Sequence, residues 1–115
     1  MISFKNLKKS YAKNVVLDID LLEIPKGQAF GLVGNNGAGK TTMFSCLLDL
    51  IKPTKGIVTN NGINVRESED WKTFSSAYLD ESFLIGYLMP EEYFYFIGEL
   101  RNVKEKEVNE FLKQF

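Results

Sequence analysis

No histidine occurs among the 115 residues. That excludes any mechanism needing an imidazole base, switch or metal ligand from this chain. The single cysteine, Cys46, rules out an intramolecular disulfide framework. No apolar run approaches the ~20 residues that a bilayer-spanning helix requires. The N-terminal Met-Ile-Ser-Phe-Lys-Asn-Leu-Lys-Lys lacks the apolar centre of a signal peptide. Together these absences set a soluble, reducing, cytoplasmic setting as the expectation. Charge of one sign is missing too. Lys and Arg number 14 against 15 Asp and Glu, for a net charge of −1. That balance offers no basic footprint for nucleic acid, so none is expected as a partner. The residues that are present read as ordinary globular protein, 44% hydrophobic and 25% charged. Aromatics reach 13%, which argues against disorder, because disordered chains lack apolar area to offset their entropy.

The first thirty residues read as β. Ile2, Phe4 and Leu7 mark a short strand. Val15, Leu17, Ile19 and Leu21, then Leu22 and Ile24, form a longer alternating run, with Asp18, Asp20 and Glu23 outside it. Acidic residues on the second face predict a half-exposed antiparallel pair. Pro25-Lys26-Gly27 is a turn signal. Residues 28–33 are almost continuously apolar, the pattern of a strand buried on both faces. Residues 42–51 carry Met43, Phe44, Leu47, Leu48 and Ile51 at helical spacing. Asn60-Asn61-Gly62 between two apolar triplets predicts a hairpin. Residues 75–79 read as another short strand. Pro90, with Glu91 and Glu92 beside it, opens a helix whose apolar face holds Tyr93, Phe96, Ile97 and Leu100. Residues 104–115 predict a second helix with Val108, Phe111, Leu112 and Phe115 inward. Cys46 and Trp71 are expected to serve packing.

Between the predicted buried strand and the first helix stands Gly34-Asn35-Asn36-Gly37-Ala38-Gly39-Lys40-Thr41, which fits G-x-x-x-x-G-K-[ST]. Strand before and helix after is the context this motif requires. Glycines let the backbone turn its amides inward without Cβ clashes. Those amides make an anion nest, and the helix N-terminus adds partial positive charge. Lys40 is expected at the β- and γ-phosphates. Thr41 is expected to place its hydroxyl on Mg²⁺, and Thr42 to donate to the α-phosphate.

These residues carry a resemblance. The segment Gly31-Leu32-Val33-Gly34-Asn35-Asn36-Gly37-Ala38-Gly39-Lys40-Thr41-Thr42 resembles the Walker A loop of ABC transporter nucleotide-binding subunits. Val16-Leu17-Asp18-Ile19 and Ile24-Pro25-Lys26-Gly27 resemble that family's second strand and following turn. Ile51-Lys52-Pro53-Thr54-Lys55-Gly56 and Asn61-Gly62 resemble its post-helix turn and hairpin. The resemblance implies an α/β P-loop NTPase core of ABC type, incomplete in these 115 residues. It would hold an antiparallel β subdomain, a P-loop strand and helix, and the start of a helical subdomain. The implied division is a β subdomain with P-loop core over 1–79, a Q-loop region over 80–88, and the start of the helical subdomain over 89–115.

The resemblance also implies site residues. ATP and Mg²⁺ are the expected ligands. Tyr11 falls where such subunits stack an aromatic on adenine, and Val16 is expected against the same base. Gly34, Asn35, Asn36, Gly37, Ala38, Gly39, Lys40, Thr41 and Thr42 form the phosphate loop. The family's Q-loop supplies a Gln to Mg²⁺ and the attacking water. Here Ala77-Tyr78-Leu79-Asp80-Glu81-Ser82 has none. Counting forward places Glu81 there, and counting back from Met89-Pro90 places Asp80. A carboxylate there would still meet the metal, so Thr41 and Glu81 are the expected metal contacts.

The resemblance also makes missing parts visible. No Ser-Gly-Gly signature occurs, no Walker B strand with its catalytic Glu, and no switch histidine. Asn14-Val15-Val16-Leu17-Asp18 imitates Walker B, but it precedes the loop and Ile19 follows it. The chain is therefore expected to be roughly the front half of a two-lobed ATPase, binding nucleotide weakly without turning it over. In the complete protein, a transmembrane permease and a second ATPase subunit are the implied partners, at the cytoplasmic face of a membrane. Two alternatives stand beside this. One is a non-catalytic module contacting a permease through the aromatics Tyr87, Tyr93, Phe94, Tyr95 and Phe96. The other is a different small P-loop NTPase. A GTPase would need Asn-Lys-x-Asp, which is absent.

Overall fold

Two long strands begin the chain. The computed structural model describes residues 1–115 as two units, Met1–Ala77 and Tyr78–Phe115. In the first unit β1 (Ile2–Tyr11) and β2 (Asn14–Ile24) pair antiparallel, with Ile2 opposite Ile24 and Leu7 opposite Ile19. β3 (Lys55–Asn60) pairs antiparallel with the other edge of β1, and β4 (Ile63–Asn64) closes the order β2-β1-β3-β4. The predicted hairpin turn forms at Asn61 and Gly62. Their φ angles of 52° and 81° are the left-handed pair that suits the strands' twist.

The inward face changes phase midway along β1 and β2. Phe4 and Leu7 are both fully buried although three residues apart. Asn6 between them takes φ 49° and turns the strand. On β2 the half-buried residues pass from Leu17 and Ile19 to Leu22 and Ile24. Leu21 and Val15, which simple alternation grouped with Leu17 and Ile19, are instead exposed. β3 crosses this irregularity at Gly56. Its φ is 95°, and a Cβ there would stand 2.3 Å from the Asn6 carbonyl oxygen. Only glycine permits that approach.

The core of this unit gathers Phe4, Leu7, Val58, Val65 and Trp71 with Met43 and Cys46 of α1 (Lys40–Leu47). Trp71 sits in a 3-10 turn, and its indole N–H donates to the Val65 carbonyl at 3.1 Å. The pattern predicted a helix over 42–51, and the structure ends it earlier. Asp49 enters the left-handed region at φ 53°. Leu50 N then donates to Ser45 O at 2.9 Å and Asp49 N to Cys46 O at 3.3 Å. That pair of bonds is a Schellman stop, which satisfies the helix's last carbonyls.

Two expected strands do not form. Residues 28–33 and 75–79 are unpaired. A strand exists through a ladder to a neighbour, and the sheet's four strands pair only with one another. The apolar run at 28–33 is accordingly exposed in part, with Phe30 at 46% and Val33 at 96%. It borders an open apolar cleft of about 450 Å³, lined among others by Leu17, Ile19, Leu22, Phe30, Leu32 and Met43.

The second unit is a helical hairpin. α2 (Pro90–Leu100) begins with proline in its first turn, and Glu92 accepts from the Met89 amide at 2.8 Å. α3 (Glu105–Leu112) packs on α2 where Gly98 is buried, since a Cβ there would meet Val108 Cγ2 at 2.7 Å. Phe94, Phe111 and Phe115 form a chain of ring contacts with centroids 5.3 and 5.0 Å apart. No helix of the protein is long and apolar enough to cross a membrane.

Candidate phosphate-binding site

The glycine-rich loop joins the unpaired segment 28–33 to α1. Gly37 and Gly39 both take positive φ, 84° and 93°. At Gly39 a Cβ would stand 2.4 Å from the Val16 carbonyl oxygen. The loop therefore lies directly on the backbone of β2, and glycine is the residue that allows it. Ala38 N donates to Asn35 O at 3.1 Å, closing a turn inside the loop.

Gly39 is the N-cap of α1, with no side-chain cap bond and no acidic residue in the first turn. The first amides of a helix have no intrahelical acceptor. Here no side chain supplies one, and the positive end of the helix is left uncompensated. Such an end favours an anion. The Lys40 ammonium folds back on the loop, donating to the Gly34 carbonyl and to Asn35 O at 3.3 Å. These contacts hold a positive charge over the turn formed by the amides.

An open cleft of about 430 Å³ results, lined by Val16, Asn36, Gly37, Gly39, Lys40, Thr41 and Thr42. The structure brings these seven expected residues together. Gly34 and Asn35 take part through the carbonyls that hold Lys40. Ala38 faces the apolar cleft beside 28–33 instead. Tyr11 does not line the phosphate cleft. It stands at the end of β1 and is 53% exposed.

Asp80 and Glu81 belong to the second unit. Asp80 caps the 3-10 turn Glu81–Phe83, its carboxylate accepting from Ser82 N at 2.7 Å and from the Ser82 hydroxyl. Those bonds, the hydroxyl first, hold its carboxyl below the usual range. Cys46 is buried in the core, and burial pushes its thiol pKa up, which suits packing rather than reactivity. No cluster of three or more His, Cys, Asp or Glu is placed to hold a metal ion by itself.

Sequence reading passed over Lys9, whose ammonium stands 4.7 Å from the centroid of the Tyr11 ring. The signal was a lysine two residues before a tyrosine on a strand, where period two puts both on one face.

A family model described as ABC transporter matches residues 17–115. The chain is 43% identical over 68 residues to the bacitracin transport ATP-binding protein BcrA of Enterococcus faecalis, covering 59% of this chain and 22% of that protein. It is 40% identical over 80 residues to the methionine import ATP-binding protein MetN of Francisella tularensis subsp. holarctica, covering 64% of this chain and 23% of that one. A solved dimeric ATP-binding cassette in a post-hydrolysis state, bound to ADP and Pi, superposes with a TM-score of 0.76 at 23% identity. That match covers 96% of this chain and 53% of the cassette. The chain thus spans about a quarter of the curated relatives it matches and about half of the solved cassette.

Proposed function

The chain belongs to the ABC transporter family, and on that premise we propose that its glycine-rich loop binds the phosphates of ATP. The ATP would be bound with Mg²⁺, as part of a subunit whose hydrolysis of ATP powers transport across a membrane. The observation that carries this reading is the loop itself. Uncapped amides of α1, left-handed Gly37 and Gly39, and the inturned Lys40 converge on one cleft. A triphosphate suits it, because amides and an ammonium are donors only and a phosphate chain is all acceptor.

Each residue then has a task. Lys40 neutralises charge at the outer phosphates while its carbonyl contacts fix its direction. Thr41 offers a hydroxyl to the metal, and Thr42 donates to the inner phosphate. Mg²⁺ takes few protein ligands when phosphates supply the rest, so one hydroxyl suffices here. Bound there, Mg²⁺ would neutralise charge developing on the phosphates. Val16, whose carbonyl backs Gly39, would meet the nucleoside. Of the two acidic candidates at the Q-loop position, Asp80 already spends an oxygen on its own turn. That favours Glu81 over Asp80 for the Q-loop role.

The organisation follows from the same reading. We assign 1–79 to the β subdomain and P-loop core, 80–88 to the Q-loop region, and 89–115 to the start of the helical subdomain. The signature, Walker B and switch parts are absent from these 115 residues, so binding without turnover is the expected behaviour of this chain. In a complete subunit, a permease and a second ATPase subunit are the proposed partners, at the cytoplasmic face of the membrane. Relatives named for bacitracin transport and for methionine import are similar to it almost equally, at 43% over 68 residues and 40% over 80. That supports a role in handling ATP rather than in choosing cargo.

The test is a calorimetric titration of the chain with Mg·ATP, with GTP alongside. Lys40→Ala should weaken ATP binding by more than tenfold, the scale of one lost charge-assisted contact of about 1.5–3 kcal/mol. ATP affinity unchanged in that variant would overturn the reading, and a strong preference for GTP would redirect it.

A further inference from the structure

The end of β1 is gripped by the turn that follows α1. Thr54 N donates to Lys8 O at 2.8 Å, and Ser10 N donates to Thr54 Oγ1 at 2.9 Å. Between these two, the Lys9 ammonium donates to the Lys52 carbonyl at 2.8 Å. Three consecutive residues of the strand are thus fixed by residues 52–54. Lys8 is engaged elsewhere, with Asp18 across the strand pair at 3.2 Å. Lys9 is therefore the cation that stands over the Tyr11 ring, 4.7 Å from its centroid.

We propose that Lys9 is a positioning residue that holds the Tyr11 ring for stacking against the base of a bound nucleotide. The proposal rests on the ATP-binding reading above and on the stacking role that the family resemblance implies for Tyr11, and it extends both to a residue outside the phosphate loop. Tyr11 ends its strand next to a two-residue turn, where Ala12 takes φ 52°. A half-exposed ring in that place has rotameric freedom that it must lose to stack. A cation fixed over one face removes much of that freedom in advance. It also draws π density toward itself, so the opposite face repels a base ring less. The ammonium can do this because the Lys52 carbonyl already holds it.

The test separates base from phosphate. The 115-residue chain is titrated with Mg·ATP and, separately, with inorganic triphosphate, which has no base. Lys9→Met keeps the aliphatic stem and removes the charge. It should weaken ATP about three- to tenfold, the scale of one partly exposed cation–π contact, and leave triphosphate affinity unchanged. Lys9→Arg, which restores a cation, should recover ATP affinity. In a Tyr11→Ala background, Lys9→Met should have no further effect on ATP.

Equal loss for both ligands would show a general structural role and overturn the proposal. So would an unchanged ATP affinity, or a full effect of Lys9→Met without Tyr11. Failure of the underlying reading looks different, because Lys40→Ala would then leave both ATP and triphosphate affinities intact.

Discussion

The two units of this chain are built in opposite ways. Met1–Ala77 carries ten Lys or Arg against seven Asp or Glu, whereas Tyr78–Phe115 carries four against eight. The first unit has a true interior, with Phe4, Leu7 and Cys46 fully enclosed. In the second only Gly98 and Val108 are buried, and Tyr87 and Phe115 stand almost wholly in solvent. The basic unit holds the cleft that suits an anion, and the acidic one holds aromatic surface. The difference shows where rigidity is needed. The proposed phosphate loop would have to hold several amides in fixed directions, and a packed sheet against a helix supplies that. A two-helix hairpin with one contact seam has fewer buried atoms to fix it.

The strongest way to break this contrast is to empty the first core. Phe4→Ala should destabilise that unit by about 3–5 kcal/mol. Trp71, the only tryptophan, lies in the same core, so its emission midpoint in urea should fall by a matching amount. A midpoint that stays put would mean the sheet is not what carries this unit's stability. Gly39→Ala acts on the loop alone. Left-handed backbone with a Cβ against the Val16 carbonyl should cost about 1–3 kcal/mol and remove triphosphate binding in calorimetry. Trp71 emission in the absence of urea should stay native, because the buried core is untouched.

In the second unit, Gly98→Ala sharpens the comparison. The added methyl drives against Val108, an overpacking cost of about 1–3 kcal/mol. It also gains about 1 kcal/mol of helix propensity, so the net loss should be small. Helical circular dichroism should melt at lower temperature while Trp71 emission holds its own transition. The smallest effect belongs to Asp80. Its carboxyl is depressed because the ionised form accepts from Ser82. The capped turn is therefore secure above the ordinary carboxylate pKa and loosens as pH falls through the lower folded value. The Ser82 amide shift should titrate with that depressed midpoint in NMR, and Asp80→Asn should flatten it. A Ser82 amide that moves at the ordinary carboxylate pKa would show that the cap does not persist in solution.

Much of the candidate site's geometry was legible in sequence because it is local. Gly37, Gly39, Lys40, Thr41 and Thr42 lie within six consecutive positions, and backbone geometry gathers them without help from distant chain. Local pattern also gave the Asn61-Gly62 hairpin and the opening of α2 at Pro90. It misjudged the inward face of β2, where Leu21 stands opposite Lys5, next to the kink at Asn6 on the neighbouring strand. It misjudged residues 28–33 and 75–79, because apolar composition states a preference to be paired and cannot supply the partner. The length of α1 was missed for a smaller reason. Asp49 takes a left-handed turn that a run of Leu and Ile does not announce.

Sequence alone determined that this chain carries a glycine-rich turn with a lysine before a helix, since motif, glycine positions and lysine all lie within a few residues of one another. Tertiary structure decided the rest. It set Gly39 against the Val16 carbonyl and Gly56 against Asn6, and it put Lys9 under the hold of Lys52, 43 residues away. Those contacts join segments far apart in the chain. Their cost is loop-closure entropy, and their return comes only when the whole sheet is in place, so no short window of residues records them.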